Sequence, residues 1–396
     1  LLSGHIVNTK LDKIQLDHNS YVSLHAQLHN TLRQLIISGR WENGERIPSE
    51  TQLAQHLEIS RSTVRIALQS IEVEGLITRV AGRGTFVCYD PTTALETRLI
   101  GFVTRSFHNE IHRTLLSSVE TELRSAGHSL VFSKAQDNQE EVAVLSQLLT
   151  DNVRGVVLWA NARTTTAQQE VLWSYQAQGV PIVFMDRVVD GVDADYVGSD
   201  NYGGTYTLVN HLIELGHRDI AYLSHDISNL YPIEERYRGY QAAMRQHNFP
   251  DAAVWKITSP NSDAFFETDL YDLLDQQIPH FNSQIQNLIE KAAPQPTALV
   301  CANDALAILA MRAVRHMGMT VPNDISIVGF DDITLAAYLD IPLTTVSQDA
   351  HEIGRRAAQI LLERLDGFSG PSAHHVVPTK LQIRMSTTTP IEVKPS

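Results

Sequence analysis

The chain has 396 residues and only two cysteines, Cys88 and Cys301, far apart in sequence, which excludes a disulfide-stapled secreted scaffold and predicts two or three folded units in a reducing, cytoplasmic setting. No run approaches the roughly 18 consecutive apolar residues of a membrane span, and no basic segment leads into an apolar one at the N-terminus, so neither a membrane partner nor export is expected. The net charge of −14 is unevenly spread, +1 over residues 1–89 and −15 over residues 90–396, so an acidic body does not exclude nucleic acid binding by the N-terminal part.

In chain order, residues 1–20 show no periodicity and read as a flexible arm. Leu24, Leu28, Leu32, Leu35 and Ile36 then recur at helical spacing until Gly39. Pro48-Ser49-Glu50 opens a second short helix carrying Leu53, Ala54 and Leu57. Ser60 is placed to cap a third, running to about Glu74 and closed by Gly75. The β-rich runs LITRV and TFVCY flank Ala81-Gly82-Arg83-Gly84, which reads as a hairpin. Three helices and a hairpin within residues 21–87 give a winged helix-turn-helix layout. Residues 88–98, polar and interrupted by Pro91, read as a linker.

From residue 99 to 390, apolar strand-like runs begin at 99, 129, 155, 181, 220, 297 and 325, with amphipathic helical segments between most of them, for example 111–126, 202–215, 304–318 and 350–366. This alternation predicts an α/β domain of parallel sheets covered by helices, in two lobes. The lobes are expected at about 99–200 plus 348–372, and 201–347 plus 373–390. Residues 258–285 break the rhythm as an insertion, and 391–396 form a tail.

The third helix carries the most specific signal. Val64, Ala67, Leu68 and Ile71 make one apolar stripe, and Ser62, Arg65 and Gln69 project opposite it, with Arg61 beside them. Such a helix fits the DNA major groove, where Arg pairs with guanine and Gln with adenine. Arg83 sits between two glycines that let a wing approach DNA closely. The plain alternative, arginines that only solvate a helix, loses weight because a capped helix, a preceding short helix and a Gly-Arg-Gly wing occur together. The segment RIPSETQLAQHLEISRSTVRIALQSIEVEGLITRVAGRGTFV (46–87) resembles the GntR-type winged helix in its PSE turn, SR-T-VR-AL helix and GRGTFV wing. The resemblance implies DNA contacts from Arg61, Ser62, Thr63 and Arg65, from Arg83, Gly84 and Thr85 of the wing, and from Ser49 to phosphate. Gln69 rests on the helical projection alone.

Polar groups also follow the apolar runs of the second part: Asp186-Arg187, Asn303-Asp304 and Asp331-Asp332, with Arg236 in ERYRGY. Ligands of open α/β sheets bind outside the carboxyl ends of the strands, and carboxylates, an amide and a guanidinium there suit vicinal hydroxyls. Phe107 or Trp159 would cover a sugar's apolar face. The alternative for each Asp or Asn is helix capping, for Asp304 and Asp332 above all.

The segments GVPIVFMDR (179–187), HLIELGHRDIAYL (211–223), ERYRGYQAA (235–243), ANDALAI (302–308), VPNDISIVGFDD (321–332) and PLTTV (342–346) resemble the LacI-type sensor, related to periplasmic binding proteins with two Rossmann-like lobes. That resemblance places effector binding at Asp186, Arg236, Asn303 and Asp331, with Ser106 and Phe107 in the first-strand loop, Arg105 to His108. The LacI-type helix-turn-helix and hinge helix are replaced here. A GntR-type head on a LacI-type sensor resembles the AraR-type arabinose repressors, which assigns the allosteric relay to the linker. The implied partners are double-stranded operator DNA, a second copy in a homodimer, and a small sugar (pentose or hexose) acting as inducer; no cofactor or metal is expected. A purine or nucleoside co-repressor is the alternative ligand class. A transport solute-binding protein is disfavoured by the winged helix. An enzyme is disfavoured by the lack of HExxH, CxxC or a cofactor lysine, and His374-His375 reads as surface loop.

Overall fold

The computed structural model describes residues 14, 16, 23–37, 39–80, 82–89, 98–105, 110–161, 164–225, 230–249, 254–257 and 278–390. Ser106 and Phe107, most of the linker, the first part of the insertion and the tail lie outside these residues. The chain divides into two compact units, Leu1–Glu96 and Thr97–Ser396. Among the described residues no helix is long and apolar enough to cross a membrane.

The first unit comprises α1 (Leu24–Ile37), β1 (Arg46–Ile47), α2 (Glu50–His56), α3 (Arg61–Val73), β2 (Ile77–Val80) and β3 (Gly84–Val87). The strands form an antiparallel sheet in the order β1-β3-β2. Helical spacing delivers Leu28, Leu32 and Ile36 of α1 and Val64, Ala67, Leu68 and Ile71 of α3 to one buried core. Glu74, just past α3, accepts from Arg33 Nε (3.0 Å) and pairs with His29, tying α1 to the end of α3. Ile14, in the stretch expected to be a flexible arm, is 6% exposed and packs on this core, with Leu16 beside it.

The second unit begins with β4 (Leu99–Thr104), α4 (Glu110–Ser125), β5 (Ser129–Lys134), α5 (Asn138–Thr150), β6 (Gly155–Trp159), α6 (Thr166–Ala177), β7 (Ile182–Met185) and β8 (Asp195–Ser199). It continues through α7 (Asn201–Glu214), β9 (Ile220–His225), α8 (Tyr231–Gln246), β10 (Val254–Ile257), α9 (Ile278–Lys291), β11 (Ala298–Cys301), α10 (Asp304–His316), β12 (Ser326–Val328) and α11 (Thr334–Tyr338). Last come β13 (Thr345–Ser347), α12 (Ala350–Leu365), β14 (His374–Val377) and β15 (Lys380–Gln382). Two parallel sheets result, β14-β8-β7-β6-β4-β5 and β10-β9-β11-β12, and the antiparallel pair β13-β15 lies on the crossings between them. Central strands such as GVVLW and ALVC are buried throughout, as strands sandwiched between helix layers must be.

The structure corrects the sequence reading at the C-terminus. His374–Val377 is a strand on the edge of the first sheet, in parallel register with Tyr196–Ser199, so these residues belong to the first lobe and His374-His375 is no loop. Half of that strand faces solvent, so it lacks an apolar run, and its pairing is supplied by β8 rather than by its own pattern. The chain therefore crosses between lobes after β8, after β13 and after β14, and returns to the second lobe, where Ile327 donates to the Ser386 carbonyl (3.0 Å). Helix α9 also occupies part of the expected insertion.

Helices α7 and α8 meet backbone to backbone at Gly239, where an added Cβ would fall 2.2 Å from the Tyr202 carbonyl oxygen. Gly239→Ala should force the helices apart and destabilise the sensor by about 1–3 kcal/mol. A calorimetric scan checks this, and an unchanged sensor transition would show that the contact relaxes freely.

Candidate nucleic-acid interface and ligand cleft

Helix α3 starts at a capped end: Ser60 Oγ accepts from Thr63 N (3.1 Å) and also bonds Ser62 Oγ (2.7 Å) and Thr63 Oγ1 (2.8 Å). Arg61, Ser62, Arg65 and Gln69 are exposed opposite the buried stripe, and Thr63 is half-buried with its hydroxyl engaged by the cap. Ser49 caps α2 in a reciprocal capping box with Gln52, so its hydroxyl serves the helix end. In the wing, Gly82 and Gly84 take positive φ (72° and 116°), Arg83 is exposed and Thr85 is half-buried.

Two residues escaped the sequence reading here. The Arg46 guanidinium packs against Gly84, where a Cβ would lie 2.7 Å from its Nε, adding a cation at the wing base. Ile66 is 46% exposed in the middle of the otherwise polar face of α3. Its position on the helical wheel, between Ser62 and Ser70, was the available signal.

In the second unit the expected residues lie at the carboxyl ends of strands: Asp186 after β7, Asn303 after β11 and Asp331 after β12, with Arg236 on α8. Arg236 is 5% exposed and fully engaged. Its Nε donates to Asn201 Oδ1 (2.8 Å), Nη1 to the Ala302 carbonyl (2.6 Å) and Nη2 pairs with Asp331 Oδ1 (3.1 Å), while its plane lies 3.8 Å over the Phe330 ring.

Burial pushes the Asp331 carboxyl up; Arg236 and the Gln348 hydrogen bond pull it down, and Asp186 pushes it further up. Burial likewise raises Asp186, against the pull of Arg187 and Arg236. Asp186 from one lobe and Arg236 and Asp331 from the other thus share one electrostatic site. Both aspartates hold positive φ (61° and 120°), a strain that non-glycine residues keep only where the surroundings fix it. The lobes also meet at Tyr196 and Tyr231, edge to face at 5.6 Å, and where Thr334 N donates to Glu110 Oε2 (3.2 Å).

The capping alternative applies to one residue only. Asn303 is the N-cap of α10, its Oδ1 accepting from Leu306 N (2.9 Å). Asp304 begins the helix instead of capping one at Ala305: fully buried, it accepts from Ile333 N (2.9 Å) and from the Thr345 hydroxyl, and burial holds its carboxyl well above the usual range. Asp332 accepts from Arg384 Nη2 (2.6 Å), and α11 has no side-chain cap.

Trp159 is packed edge-on against His112 (4.1 Å) within the lobe core instead of standing open to a sugar face. A further buried network was missed: Glu141 on α5 accepts from the backbone and side-chain amides of Asn161 (2.8 Å each) and from Gln168. Burial raises the Glu141 carboxyl, opposed by those bonds. A Glu in an amphipathic helix gives no sequence hint of complete burial.

Residues 24–87 match the bacterial regulatory proteins of the gntR family, and residues 209–387 match the periplasmic binding protein-like domain. The arabinose metabolism transcriptional repressor of Geobacillus stearothermophilus is 31% identical over 348 residues, covering 86% of this chain and 90% of that protein. The transcriptional regulator CelR in complex with cellobiose superposes with a TM-score of 0.62 at 22% identity, over 86% of this chain and 100% of that one. A LacI family transcriptional regulator from Enterococcus faecium with bound ribose gives 0.60 at 22% identity, over 74% and 99%. The exposed arginine helix, the glycine wing and the two-lobed parallel sheets all sit inside these matches, and the chain belongs to the family of bacterial transcription regulators that join a gntR-type DNA-binding head to a periplasmic-binding-protein-like sensor, the family of the arabinose metabolism transcriptional repressors.

Proposed function

We propose that this regulator represses carbohydrate-utilisation genes by binding an operator through α3 and the wing, and that a small neutral sugar in the sensor cleft releases it. The observation that carries the ligand class is the fixed set of Arg236, Asp331 and Asp186. With Arg187 beside Asp186, two cations face two carboxylates there, which suits uncharged vicinal hydroxyls better than a phosphate or other anion. The relative and structural neighbours whose names carry arabinose, cellobiose and ribose support the same class. A pentose or hexose matches the reading; a purine co-repressor has no comparable support from the cleft chemistry.

On the DNA side, Arg61, Ser62, Arg65, Gln69, Arg83 and the backbone at Gly84 and Thr85 are the proposed contacts, with Arg46 at the base of the wing. Ser49 and Thr63 act chiefly as helix-end residues that set the docking angle. A homodimer in the cytoplasm would match a two-fold operator. Its interface is proposed at the exposed apolar residues Tyr338 (79% exposed), Ile383 and Met385 of the second lobe.

A thermal-shift panel of L-arabinose, D-ribose, D-xylose, D-galactose, cellobiose, inosine and guanine tests the ligand class. A ligand at 100 times its dissociation constant adds about 2.7 kcal/mol of stability. A response to one of the sugars is expected. A response confined to inosine or guanine would replace the sugar with the purine reading.

A further inference from the structure

We propose that Gln348 and Ser199 form a hinge clamp, binding the effector arginine to two of the three crossings between the lobes. The proposal rests on the cleft reading above and adds to it the route from ligand to hinge. Ser199 ends β8, immediately before the first crossing, and Gln348 follows β13 on the second.

The clamp is a closed ring of hydrogen bonds. Arg236 Nε donates to Asn201 Oδ1 (2.8 Å), and Asn201 Nδ2 donates to the Ser199 carbonyl (3.1 Å). The Ser199 hydroxyl donates to Gln348 Oε1, and Gln348 Nε2 donates to Asp331 Oδ1 (2.7 Å). Asp331 Oδ1 returns to Arg236 through Nη2 (3.1 Å). Both amides use an oxygen as acceptor and a nitrogen as donor, so donation runs from Arg236 through Asn201, Ser199 and Gln348 to Asp331, while Arg236 Nη2 closes the ring by donating to Asp331 directly. Asn201, Ser199 and Arg236 are buried, where such chains reinforce one another.

Backbone bonds lay the same path: Gly329 N donates to the Thr344 carbonyl (3.0 Å) and Asp331 N to the Val346 carbonyl (2.8 Å). Asp304 braces it from beneath by holding Ile333 N and the Thr345 hydroxyl together. A ligand group that takes or strengthens a bond to Arg236 or Asp331 therefore acts on both crossings at once. Gln348 and Ser199 are positioning residues: they act through Asp331 and Arg236.

Ser199→Ala cuts the ring between the crossings while leaving the bonds made by Arg236 and Asp331 in place. Hydrogen exchange of the full chain without ligand tests it first. Exchange should rise about 10-fold in the segment 345–350 as well as around residue 199, about the worth of one net hydrogen bond. A rise confined to residue 199 and its neighbours would overturn the clamp. Gln348→Leu should raise exchange at both segments, and Ser199→Ala decides the matter alone if that variant does not fold.

Operator release then separates coupling from binding, with L-arabinose, D-ribose, D-xylose, D-galactose and cellobiose as probes. For a sugar that releases the wild type, Ser199→Ala should keep its dissociation constant within about threefold while losing at least about tenfold in operator release, a coupling change of about 1.4 kcal/mol. Release equal to wild type would overturn the proposal. A wild type unresponsive to all five sugars would defeat the sugar reading, and the exchange result would still decide the clamp.

Discussion

Arg236→Ala should abolish the effector response while leaving operator affinity within a few-fold of wild type. The guanidinium satisfies Asn201, the Ala302 carbonyl and Asp331 together, with Phe330 beneath it. Removing it leaves the partly buried Asp331 carboxylate without its cation, a loss of up to about 3–5 kcal/mol, the cost of deleting one member of a fully buried pair. That cost falls on the stability of the sensor; the effector separately loses a charged donor in the cleft, worth about 1.5–3 kcal/mol, and should bind about 100-fold more weakly. Arg236→Lys should recover little, since an ammonium cannot serve three acceptors set in a plane or stack on the ring. The check is an operator-release titration alongside thermal unfolding, to show that the sensor still folds cooperatively. A wild-type dose response in Arg236→Ala would remove Arg236 from the effector site.

Arg65→Ala should weaken operator binding by about 1–3 kcal/mol per half-site if the side chain pairs bidentately with a base. Helix α3 presents Arg65 on its exposed face, and the buried stripe opposite fixes that face outward. The sensor's ligand affinity should stay as in wild type. An operator selected from random DNA supplies the probe, with affinity measured by fluorescence anisotropy and footprinting showing whether two half-sites are protected. Undiminished affinity would strike Arg65 from the contacts. A loss equal on all sequences, with a smaller salt slope, would make it a phosphate contact instead.

Periodic features were legible in the sequence. The apolar stripe of α3, its Ser60 cap and the buried runs of β4, β6, β9 and β11 are local patterns that tertiary packing reinforces. Asp186, Arg236 and Asp331 were found from their placement after strands and from the family resemblance. What was missed is non-local. Asp304 read as a capping residue and Glu141 carried no signal at all, because their burial is decided by partners 20 to 41 positions away. The half-exposed strand β14 has no apolar run to announce it, and Gln348 sits in a segment that only the crossing gives meaning. Ser106 and Phe107 remain expectations from the resemblance.

The placement of β14 sets an order of assembly. The head closes from about sixty consecutive residues, whereas the first lobe's sheet pairs Tyr196 with His374. Loop closure over that separation makes the pairing slow and late. A growing chain leaving the ribosome finishes its DNA-binding head early, and carries a sensor whose edge strand does not yet exist. The β8 edge stays open to wrong partners until residues 374–377 have been made, so the interval between the synthesis of β8 and of β14 is where this regulator is most exposed to misassembly.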